Sequence, residues 1–478
     1  MSVVGVDVGT SQVKAVRFDA SWAEVDTEAE ATVVISASGG RREQDMEQVW
    51  AAVARVLSVV VRRSPDAVEA VALTAQGDGC WLVDDSGSPV GRALLWNDSR
   101  AARINEQWHH DGTLEKAFRL SGSLGAPGLA NAQLRWLREH EPERLERARW
   151  LLSCGSWVFH RLTGEPVLER TEAANPFCDA RSGDYAEELF SLFDLTEERR
   201  LLPPSVSGAD ASAPLTAKVA DELGLAAGTP VVLAPYDVVT AAVGSGVSRP
   251  GSAVAILGTT LCVAASAEEP RLDRPPNGMT LPLGPPERWL LAYATLTGTE
   301  ALDWTARLLG EDDAAAVVRL AAESRRDDVP LFWPYLSPAG ERAPFLDPDA
   351  SGELRQVRLD HGPADVARAV LEGLTLSVVD CLDAIGTAEE VALCGGGARS
   401  DLWSQLIADA SGLPVTRTGV GEVGAWGAAL HAGVVLGRFA DLDEAVSALE
   451  RPTRTLTPRQ GTTERMRERL EVLRSTRD

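Results

Sequence analysis

Two stretches of this chain set a glycine and hydroxyl side chains in a sharp bend. The first is Val6-Asp7-Val8-Gly9-Thr10-Ser11 and the second Leu257-Gly258-Thr259-Thr260. Such a bend turns backbone N–H groups and hydroxyls toward an anion, and glycine permits close approach. Asp7, ending the apolar run before the first bend, would stand beside that anion, where a carboxylate holds Mg²⁺ directly or through water. Lys14, just beyond the bend, would reach a terminal phosphate. One bend is weak evidence. Two in corresponding halves can grip one polyphosphate from opposite domains.

A third glycine site has a different build. The apolar segment 391–394 runs into Gly395-Gly396-Gly397-Ala398-Arg399-Ser400. Ser400 is an N-cap candidate, Asp401 falls in the first turn, and the helix reaches about Ser411, with Gly412 as its stop. Strand, glycine run and helix N-terminus make a cradle for a nucleotide. A tight turn without a ligand fits the local pattern equally well. Gly298, within Leu296-Thr297-Gly298-Thr299-Glu300, is a weaker candidate for phosphate contact.

The elements that must position these residues follow from apolar patterning. Residues 3–8 and 13–18 read as a β-hairpin, and the segments either side of Gly258 repeat it. Gly9 and Gly258 are 249 positions apart in a chain of 478, which suggests a duplicated domain. Residues 44–61 predict a helix, 68–73 a buried strand, and 81–84 a short strand followed by the turn Asp85-Ser86-Gly87. Alternating strands and helices make this an α/β protein. Pro250-Gly251 marks a boundary, giving one domain over 1–247 and another over 248–478. The proline-rich segment 270–286 is expected as an ordered surface excursion, and the charged stretch 462–474 as a solvated terminal helix. Gly424, Ala425, Gly427, Ala428, Ala429, Ala432 and Gly433 predict a helix packed closely against a neighbour.

Composition narrows the partners. With 46 Lys and Arg against 70 Asp and Glu, the net charge is −24. That argues against a nucleic-acid polymer or an acidic membrane as partner, since a phosphate polymer needs a basic face. At 45% hydrophobic and 24% charged, the chain has the composition of a soluble globular protein. Its six cysteines include no C-x-x-C pair and no histidine at zinc-finger spacing. With no signal-peptide pattern and no apolar run of about 18 residues, a cytoplasmic protein with reduced thiols is expected. None of Lys14, Lys116 and Lys218 lies in a P-loop, and His160-Arg161-Leu162 lacks a protein kinase's catalytic aspartate.

Taken in order, these residues resemble the FGGY carbohydrate kinases, a branch of the actin-like ATPase superfamily. The two Gly-Thr bends resemble the family's phosphate loops, and Cys394 to Ser400 its adenosine motif. Ala75-Gln76-Gly77-Asp78-Gly79 and Leu95-Trp96-Asn97-Asp98-Ser99-Arg100 stand where the family keeps its sugar-binding elements. Tyr335-Leu336 through Glu341-Arg342-Ala343-Pro344-Phe345 is similar to its Glu-Arg-x-Pro stretch. The resemblance spans Asp7 to about Gly433. It implies two actin-like, ribonuclease H-like domains flanking a catalytic cleft, with ATP mainly on the C-terminal domain and the sugar mainly on the N-terminal one.

The resemblance also implies roles. Asp237, after the apolar strand 231–233 in Ala234-Pro235-Tyr236-Asp237-Val238-Val239, matches the family's catalytic aspartate, a general base that also binds substrate. Gln76, Gly77 and Asp78 would meet substrate hydroxyls, with Trp81 and Trp96 walling its carbon skeleton. Gly9, Thr10, Ser11, Lys14, Gly258, Thr259, Thr260, Gly298, Gly395, Gly396, Gly397 and Ser400 would hold ATP, and Asp7 the Mg²⁺. Xylulokinases typically carry Gln-Met-His-Gly at 76–79 and Asp-Asn at 237–238, and the family's first signature usually has lysine where this chain has Gln133. These departures point toward the erythritol-kinase and L-xylulose-kinase subgroup, and Gly77 is expected to leave room that methionine would fill. The expected substrate is a short polyol or pentulose, erythritol ahead, with D-xylulose as the alternative. A reading of another class is an actin-like nucleotide sensor or assembly protein without sugar kinase activity. Whether the chain forms a homodimer is left open.

Overall fold

The computed structural model describes residues 2–285, 287–419, 421–448 and 453–477. Ser2–Val8 pairs antiparallel with Gln12–Phe18, the register closing at Val8 opposite Val13 around the predicted bend. Ser2–Val8 also pairs parallel with Val68–Ala75, which pairs parallel with Pro230–Leu233. With Glu24–Ala31 and Ser212–Pro214 at its edges, this makes a sheet of six strands. Alternating valines on Ser2–Val8 are wholly buried, as expected of a strand covered on both faces.

The second half repeats the plan. Ser252–Leu257 pairs antiparallel with Leu261–Ala267 and parallel with Glu390–Cys394, which pairs parallel with Val415–Thr418. Arg288–Ala294 lies beside Leu261–Ala267, as Glu24–Ala31 lies beside Gln12–Phe18. With Thr453–Leu456 antiparallel beside Val415–Thr418 as Ser212–Pro214 is beside Pro230–Leu233, strand order and direction match across six strands of each sheet. The expected duplication of an α/β domain is present.

Helices follow their sequence signals. Met46–Arg62 is capped by Asp45, whose carboxylate accepts from Gln48 N–H, and its apolar stripe Val49, Val53, Val56, Leu57 and Val60 is buried on the first sheet. Asp401–Ser411 starts at Ser400 and stops at Gly412 with φ 74°, as its cap and stop residues predict. The predicted short strand is Trp81–Val83.

The two halves meet through the helices that follow their last central strands, Asp237–Gly244 and Val423–Val435. A β-carbon on Gly244 would lie 1.9 Å from Val423 O, and one on Gly427 1.9 Å from Thr240 O. Only glycine allows backbones this close, so the small-residue run does serve packing. Phe18 and Trp426 add an edge-to-face contact at 4.9 Å across the same seam.

Two expectations need correction. The described part of the segment, 270–285, is not a surface excursion, and residue 286 lies outside the described residues. Leu272 and Arg274 are buried, and Met279–Gly284 is the edge strand of the second sheet. Leu124 N–H donates to Gly278 O at 2.9 Å, Thr280 Oγ1 to Gly122 O at 2.9 Å and Arg119 Nη1 to Leu272 O at 2.8 Å, tying the halves together. The helix Thr462–Arg474 is docked rather than solvated, because Met466, Leu470 and Leu473 are buried. Its arginines answer acidic groups beneath it, Arg474 bonding Asp380 and Asp383 at 2.9 and 2.7 Å. Among the described residues, no helix is long and apolar enough to cross a membrane.

Candidate active site

Asp7 is the penultimate residue of the first strand, Asp78 follows the strand Val68–Ala75, and Asp237 follows Pro230–Leu233. Those parallel strands are neighbours, so their carboxyl ends deliver three aspartates to one side of the sheet. Water still touches each of them. Burial among protein atoms lifts Asp237 to about 8, with the charges of Asp7 and Asp78 pushing the same way and the Val238 N–H opposing. Burial raises Asp78 to about 7 against the pull of Arg342. Asp7 rises to about 6, burial outweighing Lys14, with Glu422 adding to the rise. Displaced carboxyls gathered beyond the ends of neighbouring strands are the pattern of a site built for proton transfer.

Glu172 and Asn175, which no sequence motif marked, and the Glu341-Arg342 pair of the Glu-Arg-x-Pro stretch complete the cluster. Glu172 accepts from Asp78 N–H at 2.9 Å, and burial together with the Asp78 charge holds its carboxyl well above the ordinary range. Asn175 Nδ2 donates to Asp78 Oδ1 at 3.4 Å. Asp78 itself has φ 59°, a left-handed conformation held by these contacts between Gly77 and Gly79. From the other half comes Arg342, whose Nε donates to Ala294 O at 2.7 Å and whose charge acts on Asp78. Glu341 fixes that loop from below, its Oε1 accepting from the N–H groups of Leu296 and Arg342 at 3.0 and 2.8 Å.

The phosphate side divides into groups that are free and groups that are committed. Gly9 N–H closes the first bend on Gln12 O at 3.0 Å, while Ser11 is exposed. Thr10 Oγ1 donates to Gln76 Oε1 at 2.7 Å and accepts from Trp96 Nε1 at 3.0 Å. In the second bend Thr259 is exposed, with Gly258 and Thr260 half-buried. Gly298 backs that bend, since a β-carbon there would lie 2.6 Å from Gly258 O. In the glycine run, Gly395 takes φ 84° and Gly397 abuts the Trp403 ring, so both answer to the fold. Gly396 alone of the three faces open space, where a nucleotide has room. Ser400 Oγ is used as the cap, accepting from Trp403 N–H at 3.0 Å. Lys14 Nζ lies 2.6 Å from Glu422 Oε2, a partner that no motif announced.

Asp7 suits a metal, being a carboxylate beside the first bend. Among the described residues no group of three or more His, Cys, Asp or Glu gathers to hold one. Mg²⁺ keeps several waters and takes few protein carboxylates besides phosphate oxygens, so a single aspartate at the bend is the kind of ligand it uses.

The sugar-side expectations divide in the same way. Trp81 is wholly buried in the first domain's core, 5.8 Å from Trp157, and presents no surface to a substrate. Its expected role as a wall is corrected. Trp96 is 39% exposed, on a loop pinned by the buried Asp98–Arg100 pair at 2.7 Å. Gln133 Nε2 donates to Leu95 O at 2.8 Å and steadies the same loop. Gln76 is buried with both ends of its amide engaged, Nε2 donating to Gln44 Oε1 at 2.8 Å, so it positions its neighbours. Gly77 leaves no vacant room, because a β-carbon there would lie 2.3 Å from the Tyr236 ring. Tyr236, next to the catalytic candidate Asp237, fills the space expected to be empty.

Known proteins share this fold. Residues 2–244 match the N-terminal domain of the FGGY family of carbohydrate kinases, and residues 253–436 its C-terminal domain. Erythritol kinase of Brucella abortus is 30% identical over 94% of this chain and 90% of its own length. Xylulose kinase of Escherichia coli is 31% identical over 88% of this chain and 87% of its own. In structure, ligand-bound xylulose kinase from Lactobacillus acidophilus superposes with TM-score 0.93 at 20% identity, covering 100% of this chain and 97% of that one. The two-domain α/β architecture expected from the duplicated bends is therefore that of a known fold. Both family domains match in order and together span most of the sequence, so the chain belongs to the FGGY family of carbohydrate kinases.

Proposed function

We propose that this kinase transfers the γ-phosphoryl group of ATP to a hydroxyl of a short polyol or pentulose, an erythritol-like tetritol first, with Asp237 as general base. The carrying observation is the Asp237 carboxyl, on the first residue of the helix that follows the strand Pro230–Leu233 and held at about 8 beside Asp7 and Asp78. A carboxylate with such a raised value is a stronger base than an ordinary aspartate and works near neutral pH. The acceptor oxygen attacks phosphorus, its proton passes to Asp237, and ADP departs with the electrons of the broken P–O bond.

Asp78 accepts from a second substrate hydroxyl, steadied by Asn175 and Glu172 and faced by Arg342. Trp96 lies against the carbon skeleton. The exposed turns around Ser11 and Thr259, together with Gly396, receive the phosphates and nucleotide. Bound Mg²⁺ supplies charge neutralisation for the polyphosphate, and Asp7 is the residue that would hold it. We place the division between sugar-side and nucleotide-side domains at residues 247 and 248.

The erythritol preference rests on the resemblance at Gly77, Asp78 and Val238 and on the Brucella abortus relative. The Escherichia coli relative favours D-xylulose as second reading. The test is a coupled ADP-release screen over C3–C6 polyols and ketoses. Strongest release with a tetritol or pentulose supports the reading. Equal release with no acceptor present would favour a nucleotide switch instead.

A further inference from the structure

The one lysine placed at the phosphate loop already has an anion. Lys14 Nζ lies 2.6 Å from Oε2 of Glu422, which stands at the start of the helix Val423–Val435 in the other half. Glu422 makes no side-chain cap to its own helix, so the helix start does not account for its direction. The Lys14 side chain is 30% exposed and that of Glu422 27%, so both remain reachable by solvent and solutes. A carboxylate oxygen offers an ammonium group the same charged acceptor that a phosphate oxygen does.

Resting on the reading that Lys14 meets the nucleotide's terminal phosphate, we propose that Glu422 is a resident stand-in for that phosphate, which ATP must displace before Lys14 engages. Without nucleotide, Glu422 neutralises Lys14 beside Asp7. When ATP arrives, a partly exposed ion pair of small worth yields to a group of higher charge. Because the partners come from opposite halves, the exchange also releases a tie between the domains. Only hydrogen bonds change hands.

The experiment measures the Kd of a non-hydrolysable ATP analogue, and the KM for ATP, in Glu422→Gln, Lys14→Met and the double variant. Glu422→Gln is expected to tighten both roughly two- to fivefold, the range of a partly exposed ion pair. The same change made on Lys14→Met is expected to do nothing. Glu422→Asp, which keeps the charge but shortens its reach, serves if the Gln variant folds poorly, and should tighten binding as well. Unchanged or weaker binding in Glu422→Gln, or an equal effect with Lys14 absent, overturns the proposal. If Lys14→Met alone leaves nucleotide affinity unmoved, the role of Lys14 itself falls, and the two failures are thereby distinguished.

Discussion

Gly424 and Asp7 belong to opposite domains, yet a β-carbon on Gly424 would lie 2.5 Å from Asp7 Oδ2. The first turn of the helix Val423–Val435 closes over the carboxylate only because that position has no side chain. Gly424→Ala must therefore displace either Asp7 or the helix. A shift of about 1 Å in a reacting group costs on the order of a hundredfold in rate, so a loss of kcat/KM between about tenfold and a hundredfold is expected. Steady-state kinetics check it, with circular dichroism to show that the fold persists.

Activity should climb with pH. The three aspartates stand at about 6, 7 and 8, and Asp237 accepts a proton only once ionised. Their titrations belong to the cluster as a whole. kcat/KM, which reports the free enzyme, is expected to rise from pH 6, pass half its plateau near pH 8 and level off only about one pH unit above that. A flat profile across that range would count against the assignment of the base.

The same displacement makes the site costly to the fold. The Asp237 carboxyl goes from 3.8 unfolded to about 8 folded, so the folded state binds the proton more tightly. Its stabilising share is complete below 3.8 and is lost as pH rises toward 8. Asp237→Asn, neutral throughout, should therefore raise the melting temperature at pH 8, and raise it less at pH 5. Thermal denaturation at both values checks the sign.

Gly77 and Tyr236 make a steric pair. With the ring 2.3 Å from where a β-carbon would sit, Gly77→Ala overpacks the site. Overpacking costs about 1–3 kcal/mol, and here the strain falls beside Asp237, so both melting temperature and kcat should drop. Gly77→Ala combined with Tyr236→Leu should recover stability, as measured by urea denaturation.

Much of this was legible in the sequence because it is local. The Gly-Thr bends, the Ser400 cap, the Gly412 stop and the strand leading to Asp237 each announce themselves within a few residues. Contacts made by distant segments do not. Glu172 and Asn175 come from an insertion with no motif, and Glu422 meets Lys14 across 408 positions. Trp81 misled because an aromatic beside a substrate motif can face either way along a strand, and this one faces the core. Nor did the glycine at 77 reveal that Tyr236, distant in sequence, occupies its vacant side.

The negative charge of the chain sharpens the account rather than opposing it. The net charge is −24, yet the proposed binding of one nucleotide calls only for local groups: two bends, a glycine run, Lys14 and a metal that Asp7 would hold.

The most direct test is acceptor-dependent ADP release and product formation by Asp237→Asn, using the best acceptor of the screen, with nucleotide binding measured alongside. A fall of about 10²–10⁴-fold is expected, the usual contribution of a general base, while the nucleotide still binds. Turnover close to that of the unaltered enzyme, with the nucleotide bound as before, would contradict it.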